Sequence, residues 1–265
     1  MLTERHIPSP PLRPFLLGPI EGWSQTNGSD GSLREVPFPG VPLIIGLETA
    51  WRIDGPEASE CEESFVAGLH DSPTLVQPEA GTWSCVELRL TPVAAHRLFG
   101  VAMHELSNRT VALGDVVPET NQLIERLQTT DSWSRRFDLV EQFLLRRLER
   151  SRPPAREVEW SWEELRRTSG NAPIAHLADE LGWSHRRLIS RFREQIGLAP
   201  KTVARVMRFD RAARALRSPA NGLAEVAFES GYFDQAHMNR EFQALGGTTP
   251  RAFRGSLLQS GGVAA

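Results

Sequence analysis

The chain has few cysteines and no long apolar runs. Its 265 residues include two cysteines, Cys61 and Cys85, with no CxxC pair. We therefore predict neither a disulfide framework nor a zinc ribbon. No run approaches the ~20 apolar residues of a transmembrane helix, and the first apolar run, residues 15–17, is too short and proline-bracketed to resemble a signal peptide. We expect a cytoplasmic chain without a membrane partner.

Lysine is almost absent, and the remaining charge is unevenly distributed. Lys201 is the only lysine, so nearly all basic residues are arginines. Residues 160–256 hold 15 Lys and Arg against 10 Asp and Glu (+5), whereas residues 1–159 hold 15 against 23 (−8), which together give the net charge of −3. A basic C-terminal part suits a phosphate backbone, and the acidic N-terminal part should be repelled by it.

The sequence also lacks a recognisable catalytic arrangement. It contains no nucleophile elbow and no phosphate-binding loop. Cys61 lies among the acidic residues Glu60, Glu62 and Glu63, which disfavour a thiolate, and Cys85 lies in an apolar strand pattern. We therefore predict no catalytic residues, no cofactor and no enzymatic activity.

The N-terminal part is predicted to be a β-structure. Prolines interrupt residues 1–42, which favours loops and edge strands. Short strand patterns follow, and an acidic segment at 57–63 is predicted to be a turn. The predicted strands are 43–53, 64–70, 73–78 and 83–90. Short strands separated by Gly and Pro turns indicate a barrel or sandwich.

Helical patterns begin after Thr91. We predict helices at 91–100, capped by Thr91, and at 119–127 and 133–150. The apolar stripe of the last helix either packs on the barrel or forms a dimer. Two prolines in 151–159 mark the best boundary. We predict an N-terminal domain at 1–152, a linker at 153–160 and a C-terminal domain at 161–256, starting with a helix capped by Ser161; 256–265 is predicted to be a frayed tail.

The C-terminal part contains two copies of one pattern, a short helix, a glycine turn and a second helix. Before the turn the copies match at an offset of 49, and after it at an offset of 50, so the second turn has one inserted residue. The matched pairs are Ile174 and Leu223, Ala175 and Ala224, Leu177 and Val226, Ala178 and Ala227, Gly182 and Gly231, Trp183 and Tyr232, Leu188 and Met238, Phe192 and Phe242, Gly197 and Gly247, and Pro200 and Pro250. The pattern predicts two helix-turn-helix units.

The second helix of each unit leaves one face free of the apolar stripe. Ser184 and Asp234 are suitable N-caps for these helices. The free faces carry His185, Arg186, Ile189, Ser190 and Arg193 in the first unit, and Gln235, Ala236, His237, Asn239 and Arg240 in the second. Arg, Gln and Asn can make bidentate hydrogen bonds to purine edges, and Ala and Ile can pack on a thymine methyl. A solvated helix face is the alternative for one unit, but its repetition favours DNA binding.

The segment from Trp160 to Phe253 resembles the DNA-binding domain of AraC/XylS-type transcription regulators, including GYFDQAHMNREF and GTTPRAFR. The resemblance implies an all-helical domain that sets two recognition helices in successive major grooves of double-stranded DNA. It places base-reading positions at Arg186, Ile189 and Ser190, and in the second helix at Gln235, Ala236, His237, Asn239 and Arg240. It also implies that Arg208 braces the two halves.

The same resemblance implies a cupin-like N-terminal β-barrel that binds a small-molecule effector or forms a homodimer. The overall class is then α+β, with a barrel, flanking helices and an all-α domain. The barrel histidines are scattered, without a His-x-His pair, so we predict no metal site; they are His6, His70, His96 and His104. Trp23, Trp51, Phe65 and Trp83 either line an apolar pocket or form the core.

The leading prediction is a transcription regulator whose C-terminal domain reads DNA. The alternatives are a DNA-repair or DNA-modifying enzyme that uses the same domain, and an interaction module whose basic face holds a protein. A module of the last kind would be indifferent to DNA sequence. The pattern leaves activation and repression open.

Overall fold

The computed structural model describes residues 2–26, 32–55, 59–218, 220–256 and 263–264, which form antiparallel sheets followed by a helical domain. The strands are β1 (Leu2–His6), β2 (Ile20–Gln25), β3 (Leu33–Glu35), β4 (Val41–Gly46), β5 (Trp51–Asp54), β6 (Ser59–Glu62), β7 (Ser64–Ala67), β8 (Thr74–Pro78), β9 (Trp83–Leu90), β10 (Thr110–Ala112) and β11 (Val263–Ala264). One sheet has the order β1-β2-β9-β4-β7-β10, and the other the order β11-β3-β8-β5-β6. The fold is therefore α+β, as predicted.

The inner faces of the two sheets pack against each other through aromatic side chains. Trp23 and Trp83 from the first sheet share an apolar cluster with Trp51 and Ile53 from the second. The Trp51 and Trp83 rings meet edge to face, with centroids 5.0 Å apart. The two sheets thus form a barrel-like domain.

Helices cover the outer face of the six-stranded sheet. These helices are α1 (Pro92–Phe99), α2 (Leu113–Val116), α3 (Thr120–Gln128) and α4 (Trp133–Arg150). Thr91 caps α1 as predicted, because its hydroxyl accepts a hydrogen bond from the Ala94 amide at 3.1 Å. A side chain at Gly22 on β2 would collide with the Trp133 ring, so glycine lets α4 lie close to the sheet. The apolar stripe of α4 is buried, which supports packing on the barrel over a dimer contact.

The C-terminal domain is helical throughout. Its helices are α5 (Arg156–Arg167), α6 (Ile174–Glu180), α7 (His185–Ile196), α8 (Pro200–Ala215), α9 (Leu223–Glu229), α10 (Gln235–Gly246) and α11 (Pro250–Gly255). α6 and α7 form the first unit, α9 and α10 form the second, and α8 joins the units. Within the described ranges, none of the helices combines the length and apolar character that a membrane crossing requires.

One predicted strand and one predicted turn were wrong. The run 43–53 is two strands, β4 and β5, which belong to different sheets. Apolar residues on both sides of Glu48 and Thr49 are buried, so the apolar pattern alone does not reveal the bend between the two strands. The acidic turn predicted at 57–63 is in fact strand β6 over Ser59–Glu62, while residues 57 and 58 lie outside the described residues. Strand pairing with β5 overrides the unfavourable composition.

Two boundaries also differ from prediction. The lead-in helix α5 begins at Arg156, and Ser161 lies inside it, where its hydroxyl donates to the Glu157 carbonyl. The helix therefore occupies part of the predicted linker. The predicted frayed tail includes strand β11, which pairs with β3 at Val263 and Ala264. The other residues of that tail after Ser256 lie outside the described residues.

Candidate functional site

The two turns have the predicted backbone geometry. Gly182 has a φ of +60° and Gly231 a φ of +82°, both in the left-handed region that favours glycine. The Ser184 hydroxyl accepts a hydrogen bond from the Arg187 amide at 3.2 Å, and the Asp234 carboxylate accepts one from the His237 amide at 2.6 Å. Both recognition helices, α7 and α10, are therefore capped at their first turn.

One face of each recognition helix is fully buried. Leu188, Phe192 and Ile196 have no accessible surface on α7, and Met238 and Phe242 have none on α10. The predicted packing register is confirmed. Consequently, the opposite face of each helix points away from the core.

The outer face of α7 carries all five predicted side chains. His185, Arg186, Ile189, Ser190 and Arg193 are exposed, and Ile189 keeps 41% of its surface accessible. No side chain of this group has a hydrogen bond or ion pair with any described residue. These side chains are free for an external partner.

The other two arginines of α7 are held within the protein. The Arg187 guanidinium lies 4.5 Å from the centroid of the Trp183 ring, and Arg191 forms an ion pair with Glu194 at 2.9 Å. The structure thus distinguishes the arginines of α7 that contact other residues of the protein from those that do not. Helical periodicity alone does not make this distinction.

The outer face of α10 carries four of its five predicted side chains in the open. Gln235, Ala236, Asn239 and Arg240 are exposed. His237 is half-buried instead: its ring meets Tyr232 edge to face at 5.2 Å, and its Nδ1 atom accepts a weak hydrogen bond from the Phe233 amide at 3.4 Å. His237 therefore helps to build the turn and is less available than its neighbours.

Two exposed aromatic residues of the second unit were not among the predicted site residues. Phe233 is 93% exposed and Phe228 is 84% exposed. Trp183 matches Tyr232 at an offset of 49, and Ser184 matches Asp234 at an offset of 50. Phe233, which lies between Tyr232 and Asp234, is therefore the residue inserted in the second turn. The change of offset was the signal that could have identified it.

Three arginines of the joining helix α8 have partners within the protein. Arg205 pairs with Glu241 on α10 at 2.9 Å, and Arg214 pairs with Asp210 at 2.7 Å. The Arg208 guanidinium donates to the Gly170 carbonyl at 2.6 Å, so it braces α8 against the turn before α6. Arg208 thus has an internal partner, in line with the bracing role that the resemblance implies.

A cavity of about 410 Å³ lies between the two sheets and α8. The aromatic cluster of Trp23, Trp51, Phe65 and Trp83 lines it, so these residues both pack the core and border a pocket. Asp210, Ala213 and Arg214 of α8 also line it, together with Arg217 just after α8 and Phe253 of α11. One cavity thus touches both the barrel and the helical C-terminal domain.

The two cysteines have different environments, and neither resembles a nucleophile. Cys61 is exposed on β6 beside Glu60 and Glu62. Burial, followed by the nearby Glu87 carboxylate, raises the pKa of the Cys85 thiol well above its ordinary value. Cys85 is therefore held protonated, which does not favour the alternative of a DNA-modifying enzyme.

Comparison with known proteins locates the family match in the helical part. Residues 177–256 match a family model described as a helix-turn-helix domain. ToxT from Vibrio cholerae is similar in structure with 8% identity and a TM-score of 0.50, covering 89% of this chain and 97% of ToxT. No curated protein sequence matches the chain.

Other similar structures have lower TM-scores. ToxT from Vibrio cholerae strain SCE256, solved with a bound unsaturated fatty acid, has 11% identity and a TM-score of 0.48, covering 89% of this chain and 94% of ToxT. The C-terminal domain of AraT, a response regulator from Geobacillus stearothermophilus, has 20% identity and a TM-score of 0.36, covering 38% of this chain and 84% of that domain. These identities concern the fold alone. The family match shows that residues 177–256 form a helix-turn-helix domain of the AraC type.

Proposed function

We propose that the protein is a sequence-specific regulator that inserts α7 and α10 into successive major grooves of double-stranded DNA. A small-molecule effector occupies the cavity, and the N-terminal domain forms a homodimer. The base-reading side chains are Arg186, Ile189 and Ser190 on α7, with His185 and Arg193 beside them. On α10 they are Gln235, Ala236, Asn239 and Arg240, with His237 at the edge.

One observation carries the DNA-binding part of the proposal. Apart from His237, the predicted polar side chains of both recognition helices are exposed and have no partner among the described residues, whereas Arg187 and Arg191 are engaged within the fold. Free Arg, Gln and Asn side chains at the N-terminal half of such a helix are the groups that read base edges. The duplication of this arrangement favours paired reading.

The position of the cavity supports effector control. One wall of the cavity is formed by α8. The same helix contacts Gly170 through Arg208 and Glu241 through Arg205. A ligand that displaces α8 would therefore alter contacts to both units at once. Effector binding and DNA affinity should be coupled, with each changing the other by the same factor.

Selection from a random DNA library with the full-length chain tests the proposal. We expect enrichment of two short motifs centred about one helical turn, roughly 10 base pairs, apart. A homodimer should double that site. Gln235→Ala should flatten base preference within one motif, because its amide can no longer bond a purine edge.

Gln243→Ala is the matched control, since Gln243 is exposed near the end of the same helix. It should leave both motifs unchanged. Binding without any enriched motif, or an equal effect of the two substitutions, would contradict sequence reading by α10 and favour a nonspecific or protein-binding role.

A further inference from the structure

The cavity wall has an aromatic end and a charged end, and strand register explains both. Side chains alternate along a strand, so Trp83, Cys85, Glu87 and Arg89 of β9 share one face, and all four line the cavity. Trp23 lies opposite Cys85 on the neighbouring strand β2. The aromatic end is thus built from Trp23 and Trp83 on one sheet and Trp51 on the other.

Glu35 enters the same cavity from the second sheet. Glu35 on β3 pairs with Thr74 on β8. Two residues away on the same strands, Leu33 pairs with Val76, and Val76 also pairs with Ile53 on β5. Glu35 therefore shares the inner face with these residues. Glu35 is exposed by surface area, and its side chain is among those that line the cavity.

The other charged groups of the cavity already have partners. Glu87 pairs with Arg89 at 2.8 Å, and Asp210 pairs with Arg214 at 2.7 Å. Arg217 also has an interaction. Glu35 has no hydrogen bond or ion pair with any described residue. Burial, followed by the Glu87 carboxylate, raises the pKa of Glu35, and Arg89 offsets part of this effect. Among the described carboxyl groups that line the cavity, Glu35 is therefore the one whose side chain has no hydrogen bond or ion pair.

Aromatic ring faces attract cations, and a carboxylate forms charge-assisted hydrogen bonds or ion pairs with them. An anionic ligand would meet arginines that already have carboxylate partners, and it would lie near Glu35. We propose that the cavity binds an apolar organic cation, an amine or quaternary ammonium, with the tryptophan rings around its body and Glu35 as its counter-ion. This proposal rests on the proposed effector role of the cavity.

Three probes of equal chain length separate the ligand classes: octyltrimethylammonium, octanol and octanoate. Each is titrated into the full-length protein by calorimetry, and tryptophan fluorescence reports occupancy. We expect octyltrimethylammonium to bind on the order of tenfold more tightly than either other probe, since a desolvated cation–π contact and a counter-ion add to the apolar contact.

Glu35→Gln should remove most of this tenfold preference and leave octanol binding unchanged. Glu4→Gln makes the same charge change on β1, at an exposed side chain that does not line the cavity, and should have no effect. Because Glu35 borders open space, its substitution should leave folding intact, which circular dichroism checks.

Equal binding of the three probes, tighter binding of octanoate, or no binding at all would overturn the proposed ligand class. The effector role is measured separately, as the change in DNA affinity when a probe is bound. Glu35-dependent binding of octyltrimethylammonium without any change in DNA affinity would uphold the cation site and contradict the effector role.

Discussion

The two helix-turn-helix units share a sequence pattern but have different surroundings. The buried residues of the first unit belong to one apolar cluster with α1 and the barrel helices. The second unit has its own cluster around Phe209, Phe242 and Phe253. The same local pattern therefore forms one unit that is part of the N-terminal core and one unit with a separate core.

Specific contacts join the first unit to the rest of the chain. The Gln195 side chain is buried and accepts a hydrogen bond from the Ala155 amide at 2.9 Å. At Gly197, with a φ of +116°, an added side chain would meet the Ser107 hydroxyl at 2.8 Å. The end of α7 is thus seated on the N-terminal domain, while its start remains exposed.

The recognition helices also differ in charge. α7 contains four arginines and one glutamate, whereas α10 contains one arginine and one glutamate. We infer that α7 contributes more to salt-dependent affinity and α10 more to hydrogen-bonded base reading. Matched substitutions at corresponding positions test how far the two units differ.

The largest expected effect comes from Phe192→Ala and Phe242→Ala, which occupy corresponding positions. Both side chains are fully buried, so each substitution should lower the free energy of unfolding by about 3–5 kcal/mol. Hydrogen exchange should then differ: Phe192→Ala should speed exchange in α1 as well as in α7, and Phe242→Ala only in α8–α11. Urea denaturation and exchange mass spectrometry measure both effects.

Phe233→Ala is the control for this pair, because its ring is 93% exposed. It should change stability by less than about 0.5 kcal/mol. If Phe192→Ala leaves α1 protected as in the unsubstituted chain, the first unit is not coupled to the N-terminal domain.

A smaller effect is expected from Arg240→Ala and Arg186→Ala, measured as DNA affinity across sequence variants. Arg240→Ala should cost about 1–3 kcal/mol at one base pair and relax specificity there, because its bidentate contact is lost. Arg186→Ala should do the same at a base pair of the other motif. Arg191→Ala, whose side chain pairs with Glu194, should change neither preference. If a substitution lowered the DNA affinity equally for all sequences, that arginine would contact the phosphate backbone and not a base.

The smallest effect is expected at the turn glycines. Gly182→Ala should cost about 1–2 kcal/mol of stability, from left-handed backbone strain alone, because nothing lies near its position. Gly231→Ala should cost more, since its side chain would also displace Asn171, whose amide donates to the Thr168 carbonyl. Thermal denaturation of both variants measures the difference.

Substitution by asparagine separates backbone strain from the steric contact with Asn171, because asparagine tolerates the left-handed conformation better than alanine does. Gly182→Asn should therefore be milder than Gly182→Ala, while Gly231→Asn should not be milder than Gly231→Ala. The opposite order would mean that contact with Asn171 is unimportant.

Local signals accounted for much of the fold. The Thr91, Ser184 and Asp234 caps, the bounds of α4 and the two glycine turns all agree with the sequence pattern. These features depend on residues within one or two turns of each other, so the pattern contains their cause. The division of 43–53 into two strands depends on partners far along the chain, and the pattern did not reveal it.

In the candidate site, too, local features were predicted from the sequence and long-range contacts were not. The outer faces of α7 and α10 follow from helical period, but the engagement of Arg187 by Trp183 and of His237 by Tyr232 emerged only in the structure. The role of Glu35 was invisible in sequence, where it is one acidic residue in a proline-rich segment.

The amino-acid sequence by itself determined the duplicated helix-turn-helix units, their caps and their outward polar faces, because short-range periodicity and turn chemistry specify them. Only the tertiary structure decided that the first unit joins the N-terminal core and that Glu35, three tryptophans and α8 enclose one cavity. Those residues are distant in the chain, and long-range strand pairing and helix packing bring them together.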